Sequence, residues 1–163
     1  MRKRYWVFSL ISAGVVILDQ VTKWLATRCI PQNDGVAVLP YFVNMVHVRN
    51  PGAAFGIMSQ NSGALQWTLL VFVSLAALVI VWWLVVRSDH LDGCILTAYA
   101  FFFGGAAGNL IDRLRYGEVV DFIDVYVGKY HWPAFNVADA VLCIGAGLLL
   151  LHSLRGGSRT PGQ

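Results

Sequence analysis

The sequence predicts an all-α membrane protein: four transmembrane helices, with a small β-rich extracytoplasmic subdomain between helices 1 and 2. Three observations predict it. The 163 residues are 57% hydrophobic and only 13% charged, with mean hydropathy +0.61, more apolar surface than a soluble domain of this size can bury. Four apolar stretches each approach the ~20 residues that cross a hydrocarbon core. Between the first two lies a longer segment with turn residues and a β-leaning run. The chain reads as one multi-pass domain over residues 1–163.

The first span, residues 5–26, follows the basic start Arg2-Lys3-Arg4. It could be mistaken for a secretory signal, but no A-x-A-like cleavage site follows. Asp19-Gln20-Val21-Thr22-Lys23 instead continues the helical pattern, so the helix is read as retained. The second span, residues 67–86, is free of charge and ends at Arg87. The third covers 93–111 and the fourth 137–154. The external segment, about 27–66, has a turn at Asn33-Asp34-Gly35 and a β-leaning run at 41–48, which predict a small sheet at the membrane surface. The connection 113–136 also holds a β-leaning run, 119–127. Its end, Tyr130-His131-Trp132-Pro133, suits a membrane interface. The polar tail, 156–163, is expected to be disordered. Basic residues lie on both sides, so the terminal cluster decides orientation. Both termini are then expected in the cytoplasm.

Several classes are excluded early. The net charge of +3 is not gathered into a nucleic-acid patch. Cys29, Cys94 and Cys143 form no CxxC pair and imply no disulfide framework. The histidines His47, His90, His131 and His152 lack ligand spacing, so no metal and no cofactor are expected.

Chemistry concentrates in five aspartates that the predicted spans bring to one level: Asp19, Asp112, Asp121, Asp124 and Asp139. A charged side chain inside a membrane helix is a candidate functional group by default. Asp19 and Lys23 are four apart and share a helix face, which fits an intrahelical pair that lowers the cost of burial. Asn50-Pro-Gly52-Ala-Ala-Phe55 reads as a turn. Gly104 and Gly108 form a small-xxx-small face for close helix packing. Asn109, Asp112 and Arg113 follow on the same helix, with Asp112–Arg113 readable as a structural ion pair. Asp121 and Asp139 each stand among apolar residues, with Asn136 three positions before Asp139. Apolar surroundings and a second carboxylate raise a carboxyl pKa, the arrangement for one protonated and one ionised acid gripping a water. Asp124 competes with Asp121: their odd spacing on a strand puts them on opposite faces, and spacing alone leaves the choice open.

Five segments together resemble the lipoprotein signal peptidase (signal peptidase II) family. They are Asp19-Gln-Val-Thr-Lys23, Asn50-Pro-Gly-Ala-Ala-Phe55, Gly105-Ala-Ala-Gly-Asn-Leu-Ile-Asp-Arg113, Val120-Asp-Phe122 and Phe135-Asn-Val-Ala-Asp139. The resemblance implies an aspartic endopeptidase with Asp121 and Asp139 as its catalytic dyad. It implies supporting or substrate-binding roles for Asp19, Lys23, Asn50, Gly52, Asn109, Asp112, Arg113 and Asn136. It further implies a diacylglyceryl prolipoprotein substrate cut before the lipidated cysteine, membrane phospholipid around the protein, and sensitivity to globomycin-type inhibitors. The expected location is the bacterial inner membrane, with the site near its periplasmic face and the protein a monomer. A small multi-span transporter or channel subunit is the rival reading. It predicts charges spread along a path across the membrane, whereas the middle and inner halves of these spans hold almost none.

Overall fold

The computed structural model describes residues 2–52, 63–88 and 91–156. Helices form where the apolar stretches lie: α1 Arg2–Cys29, α2 Gly63–Arg87, α3 Gly93–Tyr116 and α4 Val137–Gly156. All four are long and apolar enough to cross a membrane. Helix α3 runs past its predicted end at Ile111, because the polar turn that follows is still helical. Its start is capped by the Asp92 carboxylate, which accepts from the Cys94 amide at 2.6 Å. Its end is set by Gly117 at φ 78°, whose N–H donates to the Arg113 carbonyl. That left-handed conformation is one glycine adopts without strain.

Helix α3 packs against each of the other three, and its glycines explain how. A Cβ on Gly104 would lie 2.7 Å from the Val15 side chain, and one on Gly105 2.8 Å from the Ala138 carbonyl. In lipid, helix association depends on such close backbone approach rather than on a hydrophobic force. At the other end of the bundle, Phe8, Val81, Val85, Leu96 and Ala100 form the apolar core.

The extramembrane part is a four-stranded antiparallel sheet in the order β1 (Gly35–Leu39), β2 (Val43–Asn50), β3 (Val119–Val127), β4 (Tyr130–His131). Strands β1 and β2 come from the connection between α1 and α2, as expected. The sheet is wider than that expectation, since β3 and β4 come from the connection between α3 and α4. Two features of its register serve the site. A bulge in β2 lies between Met45, paired with Ile123, and Val48, paired with Asp121. The bulged His47 turns to the loop after α1, exchanging backbone hydrogen bonds with Asn33 and Asp34. Phe135 then bridges to Ile123 in both directions, at 2.9 and 3.0 Å, which pins Asn136 beside β3. Ala53-Ala54-Phe55 of the predicted turn, and the tail from residue 157, lie outside the described residues.

Candidate active site

The polar centre is built around one buried ammonium. Lys23 Nζ meets Asp19 Oδ2 at 2.8 Å, Asp112 Oδ2 at 2.9 Å and Asn109 Oδ1 at 2.9 Å. Three acceptors match its three N–H donors, so the charge is fully satisfied. Asp19 and Asp112 are themselves almost wholly buried, and each has further work. Asp19 Oδ1 accepts from the Ala138 amide at 2.9 Å, an anion at the N-terminus of α4 where the helix dipole favours it. Asp112 Oδ2 accepts from the Val120 amide at 3.1 Å, which ties the end of α3 to the start of β3. Gly108 admits Asp19: a Cβ there would stand 2.6 Å from its Oδ2.

This triad orients a set of asparagine amides on two further carboxylates. With its oxygen on Lys23, Asn109 turns its Nδ2 to Asp139 Oδ1 at 2.7 Å. Asn136 caps α4: its Oδ1 accepts from the Asp139 amide at 3.0 Å, while its own amide donates to Asp139 Oδ2 at 3.3 Å. This is a reciprocal capping box. Its Nδ2 donates to Asp121 Oδ1 at 2.8 Å, so one side chain links the two aspartates. The other oxygen of Asp121 accepts from Asn50 Nδ2 at 2.9 Å. Asn50 is held by the Gly52 amide, which donates to its Oδ1 at 2.8 Å. Gly52 sits at φ 93°, and a Cβ there would collide with Leu70 at 2.1 Å. Burial raises the Asp121 carboxyl to about 6; the Asn50 hydrogen bond opposes this, the Asp139 charge adds to it, and Asn136 and Lys23 oppose it.

Every predicted site residue except Arg113 thus falls in one hydrogen-bonded network. Arg113 does not pair with Asp112, whose oxygens are taken by Lys23, Gln20 and Val120. The Arg113 guanidinium points to α2, where Nη1 meets Ser74 Oγ at 3.4 Å. Its carbonyl accepts from Trp67 Nε1 at 2.9 Å. Adjacent residues on a helix face different ways, which is why the sequence neighbours part. Asp124 takes other partners than Asp121 and Asp139 do: it accepts from Asn44 Nδ2 at 2.8 Å and meets His131 Nδ1 at 2.8 Å. Burial pushes its carboxyl up, but His131 and Asn44 together hold it below the ordinary value.

Sequence reasoning missed Gln20. Its Nε2 reaches Asp112 Oδ1 at 2.9 Å, and Asp19 Oδ2 and the Gly108 carbonyl at 3.2 Å each. Its place next to Asp19 in a membrane span was the available signal. At the opposite end of α3, Asp92, Cys94 and His152 bring potential metal-ligand atoms within 4.8 Å of one another. There Asp92 caps the helix and the Cys94 thiol donates to the Leu148 carbonyl at 3.7 Å, so both already have protein partners.

Fold and site together define a multi-pass membrane protein with a buried carboxylate–amide centre at the sheet end of its bundle. The chain belongs to the signal peptidase II family: that family's model, "Signal peptidase (SPase) II", matches residues 11–155. A lipoprotein signal peptidase of Syntrophotalea carbinolica is 43% identical over 157 residues, covering 96% of each chain. One of Geobacter sulfurreducens is 40% identical over 156 residues, covering 95% of this chain and 96% of its own. A bacterial membrane enzyme solved by the in meso method at 2.3 Å resolution superposes with TM-score 0.83 at 34% identity, covering 96% of this chain and 93% of that one. Membership favours a peptidase over the transporter reading.

Proposed function

We propose that this protein is an intramembrane aspartic endopeptidase that removes signal peptides from diacylglyceryl-modified prolipoproteins, cutting before the lipidated cysteine. The observation that carries the reading is Asn136, which donates to Asp121 and exchanges hydrogen bonds with Asp139. It ties the two carboxyl groups into one hydrogen-bonded unit.

The roles follow from the surroundings. Asp121 is the more deeply buried of the two, and its carboxyl is raised to about 6, burial being the first cause. Of the two it is the one whose burial favours the neutral form, and it is assigned the proton when the pair shares one. Asp139, less buried in the first turn of α4, is assigned the base. Asp139 takes a proton from the bound water, and the water oxygen attacks the carbonyl of the residue before the cysteine. Asp121 donates its hydrogen bond to that carbonyl oxygen as charge develops there. On collapse the C–N bond breaks and the leaving amine takes a proton from the pair. The Asp19–Lys23–Asp112 triad touches no substrate in this scheme; it positions Asn109, and so Asp139. Arg113 stands ready at the α2 side for a substrate group or for α2 itself.

The one-sided site supports a location in the bacterial inner membrane with both termini cytoplasmic and the dyad near the periplasmic face. Four lipid-compatible helices support a phospholipid environment, and a dyad complete within one chain supports a monomer. A globomycin-type inhibitor would compete for the same cleft. The deciding test is cleavage of a prolipoprotein, with and without its diacylglyceryl group, by wild type and by Asp121→Asn and Asp139→Asn. Cleavage of the lipidated form alone, lost in both variants, is expected. Substantial turnover by either variant would overturn the dyad.

A further inference from the structure

We infer that the sheet end of the bundle carries a headgroup site for an anionic phospholipid, formed by Arg28, Arg49 and Arg115 around the rings of Trp24 and Tyr116. A pocket of ≈ 100 Å³ opens between α1 and α3, walled by Trp24, Thr27, Arg115 and Tyr116, with Lys23 and Asp112 at its floor. An arginine stands over each aromatic wall. Arg28 lies 5.8 Å from the Trp24 ring centre, and Arg49 4.5 Å from that of Tyr116. Arg115 lines the pocket itself, and Arg28 and Arg49 lie against the two rings that wall it.

Among the described residues, no ion pair matches their charge. Among the described residues, the ion pairs are Lys23 with Asp19, Lys23 with Asp112, and His131 with Asp124. None involves these arginines. Asp112 at the floor is turned to Lys23, Gln20 and the Val120 amide, and Glu118, three residues beyond Arg115, forms no ion pair among the described residues. Arg49 adds an independent sign: its Nη1 is buried without a hydrogen-bond partner among the described residues. A buried N–H of a cation calls for an acceptor, and a phosphate offers several to guanidinium forks.

The rest of the surface favours a lipid phosphate over a free one. Ile17, Val21, Trp24 and Arg28 recur at helical spacing along one face of α1. The first three are exposed at 62%, 47% and 56%. Acyl chains lying on that stripe would lead their phosphate to the rim, with Trp and Tyr at interface depth. The inference is independent of the reaction proposed above.

Native mass spectrometry of the full chain in neutral detergent tests it. Phosphatidylglycerol, phosphatidylcholine and inorganic phosphate are compared at equal concentration, on wild type, Arg28→Gln/Arg115→Gln and Arg28→Lys/Arg115→Lys. Wild type should retain phosphatidylglycerol in preference to phosphatidylcholine, and inorganic phosphate should not displace it. The glutamine pair should bind it about tenfold or more weakly, from the loss of two basic side chains near an anionic surface. The lysine pair should recover most of the affinity, since lysine serves a phosphate as a point charge. On unaltered protein, added salt should weaken the phosphatidylglycerol complex and spare any phosphatidylcholine adduct. Equal retention of the two lipids, displacement by inorganic phosphate, an unchanged glutamine pair, or indifference to salt would each overturn the site.

Discussion

At Asp121, burial and hydrogen bonding pull in opposite directions, and burial prevails: the carboxyl rises from an ordinary 3.8 to about 6. The folded protein then holds a proton that the unfolded chain releases between those values. This group's contribution to stability is fully present below pH 3.8 and is lost as pH rises through 6, an effect of ~3 kcal/mol. Asp121→Asn removes the titration, so its stability relative to wild type should increase between pH 4 and pH 7 while cleavage is lost. Denaturant melts at the two pH values check this; a constant difference would mean the burial cost is relieved in some other way. Asp124 is the matching control. It is spent on Asn44 and His131 at the far side of β3, so Asp124→Asn should leave kcat/KM within about threefold, less than 1 kcal/mol in the barrier. Lys23→Met tests the triad. It would leave Asp19 and Asp112 buried without their cation, at a cost of about 3–5 kcal/mol, read as a large drop in unfolding midpoint.

Among the elements, α3 sets the geometry, and its glycines are where that dependence is sharpest. A methyl on Gly108 would press on the Asp19 carboxylate at 2.6 Å, so Gly108→Ala should destabilise by about 1–3 kcal/mol of overpacking and lower turnover by displacing the triad. Gly147 in α4 faces open space, and Gly147→Ala should instead gain about 0.5–1 kcal/mol from helix propensity. Paired thermal melts separate the two; equal effects would mean that helix propensity alone governs both. These elements were legible in the sequence to unequal degrees. The four helices were plain because apolar runs of that length have few other homes, and β3 was plain from its β-branched run. Strand β1 was not singled out, since Gly35–Leu39 acquires its register only by pairing with β2. The Asp19–Lys23 pair follows from spacing, but its closure by Asp112 needs two helices to meet at Gly108. The separation of Arg113 from Asp112 needs the position of α2, and the contact that sets Asp121 apart from Asp124 needs Asn136 delivered by the Phe135 bridge. Local pattern does not encode such meetings between distant segments.

At the scale of the whole molecule, polarity is divided end from end. Phe8, Val81, Val85, Leu96 and Ala100 close one end, while the triad, the dyad and the sheet occupy the other. That division gives the protein a direction in the membrane, and its three cysteines report it. Cys29 is exposed where α1 meets the sheet, Cys94 begins α3 at the opposite end, and Cys143 lies exposed within α4. With a cytoplasmic amino terminus, a membrane-impermeant maleimide applied to spheroplasts should label Cys29 and leave Cys94 unmodified until the membrane is opened. Cys143, exposed within a span, should resist labelling in both conditions, because a charged, water-soluble reagent does not enter hydrocarbon. The opposite pattern, Cys94 labelled from outside and Cys29 protected, would put the dyad on the cytoplasmic face and invert the topology read from Arg2-Lys3-Arg4. Charge asymmetry decides which way the first helix inserts, and on the proposed function the polar site then lies where an exported signal helix emerges.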